Sequence, residues 1–241
     1  MTTKEEMSPK KTARIAAFLF LLSLPFMFFS FLYVSSNLIV PGDAATTASN
    51  IMASEGLFRS GIVSWLIGQM VFMFLPLVLY KLLKAVNKNH ALLMVIFLLV
   101  SVPIAFINEL NQFAALLLLS GADYLTVFTA DQLQALVMLF LNLHEHGGFI
   151  AGIFWGLWLF PLGYLVFKSG FLPRILGVLL IIGCFGYVID NLTGLLFPSY
   201  KAIVSQIVLV PNLISELALA LWLLIKGVNV EQWEKRALES A

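Results

Sequence analysis

Long apolar runs separated by short polar segments make up most of this chain. Runs of about 20 apolar residues recur, and each predicts an α-helix that can cross a hydrocarbon core of ~30 Å. Six such helices are predicted, at about 13–35, 59–83, 90–120, 148–168, 173–196 and 202–226. The pattern therefore predicts an all-α integral membrane protein, a bundle of six transmembrane helices in which residues 1–241 form a single polytopic membrane domain.

A seventh, shorter apolar segment at about 129–146 precedes the fourth predicted span. Thr129 and Gln132 have the spacing of a capping box, in which each side chain binds the backbone N–H of the other residue. If this segment crossed the membrane, Lys168 and Arg174 would move to the outer side, against the usual distribution of basic residues. We therefore predict an extra helix that lies in the outer interface or covers the bundle as a lid.

The segment 37–61, between the first two spans, carries signals for a second structured outer loop. Pro41-Gly42 is a turn signal, and Asp43 precedes an Ala/Thr-rich stretch as an N-cap would. We expect a turn followed by a short helix.

Two pairs of apolar segments resemble each other weakly. "FLPLVLYKLL" at 74–83 is similar to "LFPLGYLVFK" at 159–168, and both end predicted helices on the same side of the membrane. "FINELN" at 106–111 also resembles "YVIDNLT" at 187–193. A repeated helical hairpin is one explanation, and chance similarity between short apolar stretches is the other.

Composition and charge placement agree with a membrane location. Hydrophobic residues make up 61% of the chain and charged residues only 11%, whereas soluble domains carry roughly 25% charged residues. The net charge of +1 is distributed unevenly. Basic residues follow the second and fourth spans and flank both termini, among them Lys81, Lys84, Lys88, Lys168 and Arg174. The positive-inside rule then places both termini in the cytoplasm, and the absence of a basic stripe argues against nucleic acid. The lipid bilayer is the expected partner.

Polar residues inside the apolar spans are the main functional candidates, because ionisable groups in a membrane are costly. Three acids, Glu109, Asp190 and Glu216, fall within predicted helices. Other candidates for the same pocket are Asn108, Gln112, Asn191, Asn212, Gln69 and Arg59, the last as a partner for one of the acids. The first hypothesis is an outward-facing polar pocket that binds or passes a small ligand, ion or lipid headgroup. The second is that the amides only join helices.

The sequence His144-Glu145-His146 precedes Gly147-Gly148, which predicts a turn between the extra helix and the fourth span. Three roles stay open for these polar residues: a solvated turn or helix cap, a gate for protons or ligand, and a metal site completed by Asp190. Residues two apart point to nearly opposite sides of a helix, so the two histidines converge on a metal only from a turn. We expect a gate or a cap, with no bound metal and no cofactor.

Several activities are excluded by missing residues. Every lysine lies near a helix end, which excludes a retinal Schiff base in mid-membrane. No nucleophile elbow, His-Glu-x-x-His sequence, phosphate-binding loop or dinucleotide fingerprint occurs. The chain is therefore expected not to be an enzyme. Two alternatives remain: an intramembrane metal-dependent enzyme that uses His144, His146 and a carboxylate, and a non-catalytic membrane partner or immunity-type subunit.

Five short motifs resemble one family. "KKTARIA", "VPGDAATTASNI", "EGLFRSG", "FINELNQ" and "FLPRILG" are similar to the bacterial membrane family catalogued as domain of unknown function 4386, over about Lys10 to Lys226. The resemblance implies a multi-pass protein of about six helices in the inner (plasma) membrane of a bacterium or archaeon. It implies no activity and assigns no catalytic residue.

Overall fold

A computed structural model describes residues 8–239, and all regular secondary structure in this range is helical. Six helices in it are long and apolar enough to cross a membrane. They are Pro9–Leu38, Glu55–Leu83, Lys88–Leu118, Ala130–Ser169, Arg174–Leu196 and Pro198–Ile225. The predicted number of spans is thus confirmed, and the chain is a multi-pass membrane protein.

Most of these spans are built from more than one helical element. The elements are α1 (Pro9–Phe28), α2 (Ser35–Leu38), α3 (Ala44–Ala53), α4 (Glu55–Phe72), α5 (Leu75–Leu83), α6 (Lys88–Asn108), α7 (Leu110–Leu118), α8 (Ala130–Leu157), α9 (Leu159–Ser169), α10 (Arg174–Leu196), α11 (Lys201–Ile225) and α12 (Val230–Glu239). A π-helical segment, Phe29–Val34, joins α1 to α2, and the N–H of Ser35 donates to the carbonyl of Ser30 five residues earlier.

The turn predicted at Gly147-Gly148 is wrong, because α8 passes through both glycines without interruption. The segment 129–146 is therefore the first part of the fourth membrane-length helix, and not a separate lid helix. The physical reason is packing. A Cβ added to Gly147 would lie 2.0 Å from Asn108 Oδ1, so this glycine allows close helix contact and does not serve as a turn residue.

Both predicted helix caps are confirmed. The N–H of Thr129 donates to Gln132 Oε1 (2.9 Å) and the N–H of Gln132 donates to Thr129 Oγ1 (3.3 Å), as a capping box requires. In the loop between the first two spans, Gly42 adopts a left-handed φ of 80°. Asp43 Oδ1 then accepts from the N–H of Thr46 at 2.9 Å and caps α3.

Helix breaks precede the two segments that resemble each other in sequence. Pro76 lies in the first turn of α5, four residues after α4 ends at Phe72. Pro161 lies in α9, four residues after α8 ends at Leu157. Proline has no N–H and its ring clashes with the carbonyl four residues earlier, so the same residue explains both breaks.

The chain divides into two compact units, each with its own packed interior. In the first unit (8–21, 71–101 and 152–239), α10 packs against α9 and α11. A Cβ on Gly163 of α9 would lie 2.7 Å from the carbonyl oxygen of Gly177 in α10. After α11, Trp233 of α12 donates from Nε1 to the carbonyl of Leu82 at 2.8 Å, which attaches the amphipathic terminal helix.

The second unit (22–70 and 102–151) has a hydrophobic core built from α3, α4, α7 and α8. Ile51 and Phe58 are fully buried there, and Val137 and Leu141 of α8 pack into the same cluster. This core fixes α8 against α7, and it therefore sets the position of the polar residues that these helices carry.

Candidate functional site

Glu109 is the most deeply buried acid of the second unit. Its side chain is 2% exposed and it lies between α6 and α7, where the N–H of Glu109 bonds the carbonyl of Phe106 three residues earlier. The helix is interrupted at this residue and resumes at Leu110. A buried carboxyl in an apolar span requires a polar partner.

His144 of α8 supplies that partner. His144 Nε2 lies 2.9 Å from Glu109 Oε1, and Gln112 Nε2 lies 3.0 Å from the same ring nitrogen. The imidazole side chain is 28% exposed, so it connects a buried carboxyl with the surroundings of the helix. We call Glu109, His144, Gln112 and Asn108 the Glu109–His144 cluster.

The cluster allows two positions for one proton. When His144 Nε2 carries the proton, it donates to the Glu109 carboxylate and, with the Gln112 amide turned so that its oxygen faces the ring, to Gln112 as well. When Nε2 is unprotonated, it accepts from a protonated Glu109 or from the Gln112 amide. When Nδ1 also carries a proton, transfer of the Nε2 proton to the Glu109 carboxylate leaves a neutral imidazole and a neutral carboxyl, so the same proton is held either by His144 or by Glu109.

Asn108 holds α8 in place beside the acid. Asn108 Nδ2 donates to the main-chain carbonyl of His144 at 2.8 Å, and Asn111 Nδ2 donates to Asn108 Oδ1 at 3.1 Å. The Asn108 side chain lies directly against Gly147. The missing side chain at position 147 is thus what lets the amide reach the α8 backbone.

One carboxyl oxygen of the cluster has no partner among the described residues. Glu109 Oε2 is buried and has no hydrogen-bond partner within residues 8–239. Buried polar atoms are usually paired, and an unpaired one is often part of a site for a proton, ion or water. The arrangement is therefore suited to binding and releasing a small positively charged species.

The other members of the predicted gate lie apart from this acid. His146 is exposed, and its Nδ1 lies 2.8 Å from the carbonyl of Asn142 in the same helix. Glu145 is exposed as well. Within residues 8–239, no three His, Cys, Asp or Glu side chains come together in a group that fits a metal ion.

Asp190 has its own partners in the first unit. The Asp190 carboxylate forms an ion pair with Lys201, and Oδ1 accepts from the Ser205 hydroxyl at 2.7 Å. Lys201 also donates from Nζ to the carbonyl of Asp190 at 3.2 Å. This acid joins the end of α10 to the start of α11.

Glu216, also in the first unit, accepts a hydrogen bond from the Tyr187 hydroxyl. Its neighbour Asn212 is buried against α10, where a Cβ on Gly186 would lie 2.1 Å from Asn212 Oδ1. Glu216 also lines a cavity among α1, α5, α9, α10 and α11. The three predicted acids therefore have three different sets of polar partners.

The remaining predicted pocket residues have structural contacts. Asn191 packs against Gly152 and donates from Nδ2 to the carbonyl of Tyr187 at 2.7 Å. Gln69 is buried, with Oε1 unpaired among the described residues. Arg59 forms a half-exposed ion pair with Glu55 (2.6 Å), so it has a different partner from the one expected.

Sequence reasoning did not foresee the direct contact between His144 and Glu109. Starting the fourth span at 148 placed His144 at the outer boundary, whereas a single helix from Ala130 carries it alongside α6 and α7. The capping box at Thr129 was the available signal, because it marks the start of a long helix. Tyr187, which lies one helical turn before Asn191, was also missed.

Comparison with known proteins supports a family assignment and no activity. A protein of Archaeoglobus fulgidus described as an uncharacterized protein is 31% identical over 159 residues, which cover 64% of this chain and 75% of the relative. No solved structure matches the chain. The family described as Domain of unknown function (DUF4386) matches residues 15–227, as the sequence motifs predicted. The chain therefore belongs to the DUF4386 family.

Proposed function

We propose that this membrane protein binds or passes a small cation at the Glu109–His144 cluster, and that the cation is the proton. The observation that carries this proposal is the buried Glu109 carboxyl, which is paired through one oxygen with a partly exposed imidazole and has no partner for the other oxygen among the residues that the structure describes. A carboxylate next to a neutral imidazole carries one negative charge, which a single proton neutralises.

The geometry favours a proton over a larger ligand. Glu109 Oε2 is buried and unpaired, and no group of three acidic, histidine or cysteine ligands surrounds it among residues 8–239. A metal cation requires several such ligands. A proton requires only one acceptor and a neighbouring group that relays it, and the imidazole of His144, 28% exposed, can serve as that relay.

We also propose how the protein is oriented and which cellular membrane contains it. An even number of spans places both termini on the same side, and basic residues cluster after the second and fourth spans. We place both termini in the cytoplasm and the protein in the inner (plasma) membrane. The site, about 10 residues before the end of the third span at Leu118, then lies in the outer half of the bundle.

Proton flux into liposomes tests the proposal. Purified full-length protein is reconstituted into liposomes that contain a pH-sensitive dye, and a potassium gradient with valinomycin supplies a membrane potential. We expect proton entry above that of protein-free liposomes, reduced at least about 10-fold by Glu109→Gln and by His144→Gln. Glu55→Gln, which changes an exposed acid of the same unit, is the matched control and should leave the rate unchanged.

A wild-type rate equal to that of empty liposomes would overturn passage of protons, and a wild-type flux that Glu109→Gln leaves unchanged would overturn the assignment of the site to Glu109. Size-exclusion chromatography and far-UV circular dichroism of each variant separate loss of transport from loss of folding.

A further inference from the structure

Gln69 of α4 is a fully buried amide in the second unit. The residue is 1% exposed, and its Oε1 has no hydrogen-bond partner within residues 8–239. Glu109 Oε2, in the same unit, is also buried and has no partner in that range. Buried polar atoms are nearly always hydrogen-bonded. Two such oxygens in one unit therefore indicate a ligand that both can bind.

The helical register of α4 directs Gln69 toward the other helices of this unit. Phe58 and Ile62 of α4 belong to the core that α4 forms with α7 and α8. Gln69 follows Ile62 by seven residues and Phe58 by eleven, which is close to two and three helical turns. It therefore lies on the face of α4 that packs against α7 and α8.

The same spacing of seven residues recurs on the two neighbouring helices. Leu116 of α7 and Leu141 of α8 belong to the same core. Glu109 precedes Leu116 by seven residues, and Gly148 follows Leu141 by seven. The third span runs antiparallel to the second and fourth, so a step of two turns leads to the same side of the core on all three. Gln69, Glu109 and Gly148 thus lie at one level, about 10 Å beyond the core.

Space and hydrogen-bonding capacity are both available at this level. A Cβ added to Gly148 would meet no atom within 4 Å, so α8 leaves open space beside it. Glu109 Oε1 is already paired with His144, and Oε2 is therefore the oxygen that can bind a ligand. An amide oxygen and a carboxylate oxygen are both acceptors. Water, which needs two to four polar partners when buried, can donate one O–H group to each.

We propose that an internal water bridges Gln69 Oε1 and Glu109 Oε2, and that Gln69 positions this water to exchange protons with Glu109. This role of Gln69 rests on the proposed passage of protons, and it supplies a proton partner for the oxygen that His144 does not contact. When Glu109 is ionised, the water donates to both oxygens. When Oε2 carries a proton, it donates to the water, which donates to Gln69.

Proton transfer through this bridge involves only Glu109 and the water. The Oε2–H bond breaks and leaves its electron pair on the carboxylate, while the proton forms a third O–H bond on the water. Gln69 Oε1 accepts a hydrogen bond from the resulting hydronium and stabilises its charge without taking the proton. The reverse step returns the proton to Glu109.

A crystal structure of the full-length wild-type protein, at a resolution that shows ordered water, tests the bridge. We expect water density within hydrogen-bonding distance of both Gln69 Oε1 and Glu109 Oε2. The same density should be missing from Gln69→Met, whose side chain is of similar size and has no oxygen. A wild-type structure without water between the two oxygens would overturn the proposal, whatever the proton flux.

Proton flux into liposomes tests the role of this water. We expect Gln69→Met to lower the flux at least about 10-fold, and Gln69→Glu, which keeps an oxygen at this position, to retain more flux. Gln206→Met, a matched change of an exposed glutamine on α11, should leave the flux unchanged. Because Gln69→Met removes a buried oxygen that has no partner among the described residues, its thermal unfolding midpoint should stay close to that of wild type.

The possible results distinguish this proposal from the proposed function. A flux that Glu109→Gln lowers and Gln69→Met leaves unchanged would overturn the relay and keep the proton site. Equal loss of flux in Gln69→Met and Gln69→Glu, with lowered midpoints, would make Gln69 a structural residue. A wild-type protein without flux would overturn the passage of protons and the relay with it, and the crystal structure would then decide the water bridge by itself.

Discussion

At the scale of single residues, the polar groups of the membrane helices divide by the partners they find. Glu109 has an imidazole partner and one oxygen that is unpaired within the described part of the chain, whereas Asp190 is paired with a lysine and a hydroxyl. The sequence identified both acids, because an acid in an apolar run stands out. It could not assign their partners, because Lys201 and His144 lie 11 and 35 residues away from the acids that they contact.

Asp43 provides a residue-scale prediction about pH. The backbone N–H of Thr46, followed by its hydroxyl, lowers the pKa of Asp43 below its ordinary value of 3.8. A lowered folded pKa means that the ionised cap stabilises the fold above pH 3.8, and that this contribution is lost as the pH falls through the folded pKa. The ionised Asp43 carboxylate therefore stabilises the folded protein at neutral pH.

We expect Asp43→Ala to lower the thermal unfolding midpoint at neutral pH, and the difference from wild type to shrink once the pH falls below 3.8. Asp43→Asn keeps a capping oxygen without the charge, so its midpoint should lie between the other two at neutral pH. Thermal unfolding midpoints of the three purified proteins, measured from neutral pH to below pH 3.8, test this prediction. A difference between wild type and Asp43→Ala that does not depend on pH would contradict the ionic cap.

At the scale of helical elements, the structural role of glycine was the hardest to predict from the sequence. Gly147-Gly148 reads as a turn because two adjacent glycines weaken a helix. The structure makes them part of α8, and only one of the two is packed against a neighbour. Local propensity was overridden by the contact with Asn108, which lies 39 positions away in the sequence and is invisible to a local pattern.

The two glycines form a matched pair for mutation. A Cβ at Gly147 would lie 2.0 Å from Asn108 Oδ1, whereas a Cβ at Gly148 meets nothing within 4 Å. We expect Gly147→Ala to destabilise the protein by about 1–3 kcal/mol through overpacking. Gly148→Ala should be neutral or stabilising by up to about 1 kcal/mol, since alanine favours helix. Unfolding of both variants in the same detergent measures the difference.

Equal stabilities of the two alanine variants would contradict the packing of Gly147 against Asn108. If both alanine variants were destabilised strongly, α8 would be interrupted at these positions after all.

At the scale of the whole molecule, the sequence predicted the number of spans and most of their limits. Apolar length is a strong signal because every backbone polar group in a membrane must be bonded internally. The length of an apolar run was less informative where the helix extends beyond that run. The helix Ala130–Ser169, with 40 residues, is the example. The distribution of basic residues was the reason for predicting a separate outer helix. One long helix that crosses the membrane once agrees equally well with that distribution.

The proposed orientation gives a whole-molecule prediction. Single cysteines are introduced as Asn87→Cys, between the second and third spans, and as Ala122→Cys, after the third span, in a Cys184→Ser background. We expect a membrane-impermeant maleimide added to intact cells to label position 122 and not position 87, because basic residues retain the 81–88 loop in the cytoplasm. Cells made permeable should show labelling at both positions. The reverse pattern in intact cells would invert the topology.

The π-helical segment Phe29–Val34 has a consequence for the length of the first span. A π turn holds one residue more than an α turn, as the bond from Ser35 to Ser30 shows. Such a turn accommodates a single inserted residue in a helix, because the residues on either side of it keep the same orientation toward their neighbours. Deleting one residue here should restore regular α-helix and preserve both ends of the span. Single-residue gaps among family members should therefore be tolerated at this segment, and not elsewhere along the first helix.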